Sequence, residues 1–328
     1  MNDFKEIFKS SIDSMTTGND IVQSAVRRAK KRSPSKRLTP LLSGAIAAAV
    51  LCTVTVSAVR YGWLNAIFGD SGNVISENYS EYSLAISGLE TESRIPGTEI
   101  SVNEVICDGR AMYVDFVING MPPETVKSYC VYPLLTNSDG NFRGTLQNFH
   151  IGVTGETENS LSLYAAICSS EGVYIGDRAE FKLYTIDSET ADPGENYDFR
   201  IAFEAAEKPS DMAVTVTPGC EAAFGSENKV KVTVESIRIS PLTYHMTTGS
   251  LPEAEVTPEP GHDILSVDNP VFVMKDGSRI PLLDIYDSKS CSLDGNNVYE
   301  TQAFFNRVFP VNDLAGIEIG DSYIEVDW

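Results

Sequence analysis

The apolar positions of this chain change their period along its length. In the first fifteen residues Phe4, Ile7, Phe8, Ile12 and Met15 fall at offsets of 0, 3, 4, 8 and 11. That spacing predicts one stripe on a helix of about 3.6 residues per turn. Thr16-Thr17-Gly18-Asn19 interrupts it, with Gly18 suited to a left-handed C-terminal position. Asp20 then caps a second helix, and Gln23 three residues on completes a variant of the capping box. Ile21, Val22, Ala25, Val26 and Ala29 form its apolar face. Arg27, Arg28, Lys30 and Lys31 crowd its last turns, near the negative end of the helix dipole, and Ser33-Pro34-Ser35 ends it.

The pattern next becomes continuous. Leu38 to Val59 is 22 positions without a charge. As a helix it would reach roughly 33 Å, enough for a hydrocarbon layer of about 30 Å. Pro40 lies near its start, where a missing N–H costs little.

Beyond about residue 79 the period falls to two. Strand-like runs are Thr98–Cys107, Ala111–Asn119, Tyr129–Leu135, Leu161–Cys168, Ala179–Ile186 and Asp198–Phe203. Later come Ala213–Thr217, Val230–Ile239, Val271–Met274, Ile280–Leu283 and Ile317–Val326. Asp108-Gly109, Asp139-Gly140, Asp276-Gly277 and Asp294-Gly295 read as the turns between them. The expected fold class is a mainly β body, antiparallel and sandwich-like in two units, with one transmembrane helix and a short helical N-terminal tail. The expected divisions are a helical tail over 1–37, a membrane span over 38–59 and a juxtamembrane stalk over 60–78. Two β domains follow, over 79–207 and 208–328, joined near the polar, proline-containing Ala206–Asp211. Ser250–Gly261, rich in proline, reads as a surface loop within the second unit.

Charge sharpens this picture. Of a net charge of −21, residues 1–40 carry nine Lys/Arg against four Asp/Glu, and the remainder 16 against 42. The basic cluster from Arg27 to Arg37 precedes the apolar run, and Arg60 alone follows closely. The positive-inside rule then predicts a single-pass protein of the cell membrane, N-terminus cytoplasmic and C-terminal domain extracellular, with Tyr61 and Trp63 in an interfacial aromatic belt. A signal peptide would not tolerate 37 residues before its apolar core, and Ala49-Val50-Leu51 is a poor lipidation signal before Cys52. A soluble core helix would carry more polar interruptions. The acidic body argues against nucleic acid as a partner.

The chain carries no recognisable catalytic or metal-binding motif. Cys52 lies within the apolar run. Cys107, Cys130, Cys168, Cys220 and Cys291 are odd in number and show no metal spacing, so they read as buried thiols, with one or two disulfides as the alternative, which sequence alone does not pair. His150, His245 and His262 stand in unrelated loop or strand-edge contexts and read as satisfied or solvent-facing. There is no phosphate loop, dinucleotide fingerprint or HExxH. Asn137–Asn141 and Asp294–Asn297 look like calcium loops but lack the downstream glutamate, so turn chemistry accounts for them. The expectation is no enzyme, no catalytic residue, no metal and no cofactor.

Two stretches carry a resemblance. Gly97–Gly109 with the strand Met112–Ile118, and Val230–Pro241 with its Ile237-Arg238-Ile239-Ser240-Pro241 ending, are accompanied by Lys275-Asp276-Gly277 and the closing Asp313–Val326. Together with the order of tail, apolar run and β body, they resemble a Gram-positive family of membrane-anchored anti-sigma-type regulators. The outer part of those proteins is a domain of unknown function. The resemblance implies a signal-transducing regulator of transcription whose tail binds an extracytoplasmic-function sigma factor. The body would meet an unknown extracellular ligand or cell-wall component, with the lipid bilayer as a further partner. The absence of His and Cys from residues 1–40 excludes the metal site found in zinc-binding anti-sigma domains. The tail's partner-binding anchors would be Phe4, Ile7, Phe8 and Ile12, with Ile21, Val22 and Val26 as a second contact. The competing reading is an anchored surface-binding or structural module.

Overall fold

A computed structural model describes residues 62–126, 129–143, 147–185, 196–224, 230–250, 269–293 and 298–326. The described chain is mainly antiparallel β, in four sheets. The first sheet runs β1 (Ile86–Ser93), β8 (Phe199–Ala205), β7 (Arg178–Thr185), β4 (Tyr129–Thr136). The second runs β2 (Glu99–Cys107), β3 (Ala111–Asn119), β6 (Ser160–Ser169), β5 (Gln147–Thr157). Their facing sides share one core that includes Phe116, Leu135, Leu161, Phe181, Phe199 and Phe203.

The third sheet runs β10 (Cys220–Phe224), β11 (Val230–Ile239), β12 (Thr243–Ser250), β16 (Val298–Phe305), β15 (Tyr286–Leu293), with β9 (Val214–Val216) also pairing β11. The fourth runs β14 (Arg279–Pro281), β13 (Val271–Met274), β17 (Leu314–Ile319), β18 (Ser322–Glu325). These two enclose a second core, in which the rings of Phe272, Phe305 and Phe309 meet tilted or edge-on with centroids 4.9 to 6.2 Å apart.

A third core joins the two bodies. Strand β3 reads as an almost unbroken apolar run because both its faces are covered. Met112, Val114, Phe116 and Ile118 point into the first core, while Ala111 and Tyr113 enter the third. On β16, Phe305 faces the second core and Phe304 the third. Tyr113 therefore meets Phe304 edge-on at 5.6 Å and Phe68 at 5.2 Å.

Phe68 belongs to a helical segment that enters this junction. Residues 62–68 are helical, a 3-10 turn follows at Gly69–Ser71, and α1 (Gly72–Glu77) and α2 (Tyr79–Tyr82) complete the segment. Trp63, Leu64, Phe68 and Ile75 are buried, with Leu64 and Phe68 four residues apart on one side of the first helical stretch. Ser71 Oγ accepts from the backbone N–H of Val308 at 2.9 Å, tying the segment to the second body.

This corrects the helical part of the expected fold class. Among the described residues no helix is long and apolar enough to cross a membrane. The single-pass architecture, its transmembrane helix and the localisation derived from them therefore have no support among the described residues. The apolar run 38–59 and the tail helices over 1–37 lie outside the described residues. Trp63, expected in an interfacial belt, is only 3% exposed and donates its indole N–H to Glu104 Oε2 at 2.9 Å. The stretch expected as a stalk is packed over its described residues, where Trp63, Leu64, Phe68 and Ile75 fill the junction core.

Candidate functional site

The two turns that meet at this junction come from the two stretches singled out in the sequence. Asp108 lies between β2 and β3, fully buried. Its Oδ1 accepts from the backbone N–H groups of Arg110 at 2.9 Å and Ala111 at 2.8 Å. Its Oδ2 reaches the other body and accepts from the N–H of Leu242 at 2.9 Å. Burial pushes this carboxyl up from the ordinary range, and the hydrogen bonds pull it back. Gly109 follows at φ +91, in the left-handed region, where a Cβ would lie 2.8 Å from the carbonyl oxygen of Ser210. Only glycine lets the connection at 206–211 pass so near.

Beside these turns lies a polar row. Arg238 on β11 pairs with His245 on β12, and His245 pairs with Gln302 on β16. The three project from the face opposite Ile237, Ile239, Tyr244 and Ala303, which belong to the second core. From the first body, Cys168 Sγ approaches Gln302 Oε1 at 3.1 Å. Arg110 donates through Nη1 to the carbonyl oxygen of Glu171 at 2.7 Å. Arg110 Nη1 and Arg238 Nη1 both donate to the carbonyl oxygen of Ser170, at 3.4 and 2.8 Å. One acceptor thus holds two guanidinium cations side by side.

The row borders a cavity of about 10 Å³, also lined by Ser169, Ser240 and Thr243. That is room for about one water-sized particle. Both ring nitrogens of His245, and Nε of both Arg110 and Arg238, are buried without a hydrogen-bond partner. Burial, helped by the two arginines, pushes the His245 imidazole down to about 4, so it is neutral near pH 7.

Nearby, Arg143 shows the alternative. Its Nε and Nη2 contact Asp177, 1% exposed, at 2.7 to 3.0 Å. Arg110, by contrast, has Asp211 Oδ2 at 4.0 Å, on a side chain 55% exposed.

The structure brings together residues that sequence reasoning passed over. His245, expected in a loop or at a strand edge, lies on an inner strand with neither nitrogen satisfied. Arg238 was legible as the polar partner of Ile237 and Ile239, but nothing in the sequence signalled that its outward face is covered. The tail anchors Phe4, Ile7, Phe8, Ile12, Ile21, Val22 and Val26 lie outside the described residues, as does His262. His150 lies on the backbone of β5. Among the described residues no group of three or more His, Cys, Asp or Glu side chains is placed to hold a metal. Asn137 Oδ1 accepts from the N–H groups of Asp139 and Asn141, each at 3.0 Å, so that loop closes on itself as an Asx turn.

No family model matches the chain, and no curated protein matches it. Among solved structures it is similar to the crystal structure of a conserved domain protein from Bacillus anthracis, at 15% identity and a TM-score of 0.45. The match covers 74% of this chain and 77% of that one. The likeness is too loose to bear on fold or function.

Proposed function

We propose that this chain is a non-enzymatic, two-part regulator in which residues 1–37 bind a sigma factor and the β body governs that binding. The observation that carries this reading is the placement of the helical segment 62–82. It leads toward the tail, yet Trp63, Leu64, Phe68 and Ile75 are packed into the core shared by the two β bodies. A ligand that changed how those bodies meet would move the first described element that follows the tail and the apolar run in sequence. The tail supplies the second half. Its two short amphipathic stripes are marginal as isolated helices and need a partner to cover Phe4, Ile7, Phe8 and Ile12.

The test uses the full chain as bait for the sigma factor, with transcription from the dependent promoter measured in parallel. Phe8→Ala should weaken capture about thirtyfold, equivalent to about 2 kcal/mol. Phe68→Ala, which leaves the tail sequence intact, should shift promoter output through the junction. The reading fails if the wild-type chain captures no sigma factor and Ile7→Asp with Phe8→Asp leaves promoter activity unchanged.

A further inference from the structure

We propose that the cavity between the two β bodies is a binding site for a small monovalent inorganic anion of chloride size, held by Arg110, Arg238 and His245. The proposal concerns the β body alone and stands or falls apart from the sigma-factor reading.

Charge is the first argument. The chain carries a net charge of −21, yet here two guanidinium groups share a single acceptor, the carbonyl oxygen of Ser170. Like charges this close repel, and partial burial strengthens the repulsion. Where this protein sets an arginine beside a buried acid, as at Arg143, it supplies two contacting carboxylate oxygens. For Arg110 the described carboxylate is Asp211, at the 4.0 Å limit of an ion pair and more than half exposed. An anion between them would supply the missing opposite charge.

Unused hydrogen-bonding capacity is the second. Arg110 Nε and Arg238 Nε are buried donors without acceptors, and His245 adds one N–H donor in either neutral tautomer. Buried donors left unpaired are strongly disfavoured, and these three converge on the lining of one cavity. Their other ends are fixed, because Nη1 of each arginine is anchored to a backbone carbonyl. The donors are therefore set before any ligand arrives.

Size is the third, since a space of about 10 Å³ is that of a single particle near the size of water, which favours a compact monatomic anion over phosphate or a carboxylic acid. The lining comes from both bodies: Arg110, Ser169 and Ser170 from the first, and Arg238, His245 and Gln302 from the second. An anion held there would stabilise their docking.

The experiment has two arms. Thermal unfolding of the full chain is followed in sodium chloride, with sodium gluconate holding ionic strength constant. Once the site saturates, the midpoint should rise by about 3 °C per tenfold increase in chloride, and Arg238→Gln or His245→Gln should abolish that dependence. In the second arm, crystals of the wild-type chain grown in bromide should show an anomalous peak beside Arg238 and His245, a result that does not depend on any variant folding. An ordered water only, with no bromide peak, would overturn the proposal, as would identical unfolding in chloride and gluconate.

Discussion

Asp108 accepts a hydrogen bond from the backbone N–H of Leu242 at 2.9 Å, across 134 positions of sequence, and so joins one β body to the other through a fully buried carboxylate. The same side chain holds the N–H groups of Arg110 and Ala111. Asp108→Ala would leave three donors without an acceptor and open a void at the junction. A loss of about 3–5 kcal/mol is expected, because each buried donor left without an acceptor costs about 1–3 kcal/mol. Asp108→Asn keeps one carbonyl oxygen but turns an NH₂ toward one set of donors, so its loss should be smaller, about 1–3 kcal/mol. Urea unfolding of the two variants checks both the sign and the order.

Trp63 offers an optical reading of the helical segment. The chain has two tryptophans, and Trp63 is buried with its N–H on Glu104. Trp63→Phe retains most of the apolar area and removes the hydrogen bond. It should destabilise by about 1–3 kcal/mol and remove the blue-shifted part of the fluorescence. Emission spectra and urea melts of the full chain decide this. An unchanged spectrum would mean that the indole is not buried as described.

Much of the β architecture was legible before the structure, and the misses have physical causes. Ala111–Asn119, Val230–Ile239 and Val271–Met274 were read with their observed limits because apolar composition or alternation marks them. Strand β1 was missed. Its Ile-Ser-Gly-Leu-Glu-Thr-Glu-Ser sequence is largely exposed, and the backbone ladder to β8 holds it in place. Strand β12 was missed because Tyr244-His245-Met246-Thr247 carries polar groups on the face that the first body covers. Ile317–Val326 was read as one run, whereas Gly320, at φ +56, folds it back into β17 and β18. The polar row escaped for the same reason as β12: a sequence shows that Arg238 faces away from Ile237 but not what lies over it.

Two buried groups should tilt stability with pH in opposite directions. His245 is held at about 4 against an ordinary 6.5, by burial first and then by Arg238 and Arg110. Between those values the unfolded chain binds the extra proton, so this contribution is present above 6.5 and is lost as pH falls toward 4. Asp115 is raised to about 6 from an ordinary 3.8, by burial first and then by Glu104, its cross-strand partner, while the Asn103 amide pulls it down. Here the folded chain binds the extra proton, so this contribution is present below 3.8 and is lost as pH rises toward 6. Urea melts from pH 4 to 7 should show His245→Gln removing the acid-side loss. Asp115→Asn should remove the opposing slope.

The close passage of Gly109 under the connection at 206–211 gives the last prediction. At φ +91 a side chain is already strained, by about 1–2 kcal/mol for a left-handed residue. A Cβ would also press on backbone rather than on a flexible side chain, 2.8 Å from Ser210 O and 3.1 Å from Asp211 Cα. Gly109→Ala must therefore either distort the turn that presents Asp108 or lift the connection away from it. Neither change reaches the Phe116–Phe181 core of the first body or the Phe272–Phe305 core of the second. The expected outcome is a chain that keeps its β circular dichroism but unfolds about 2–4 kcal/mol more easily. Limited proteolysis should then cut faster within Ala206–Asp211, where the Glu207–Lys208 bond offers a site for a glutamate-specific protease. Cleavage at the wild-type rate, with unchanged stability, would mean that the connection does not lie against the turn in solution.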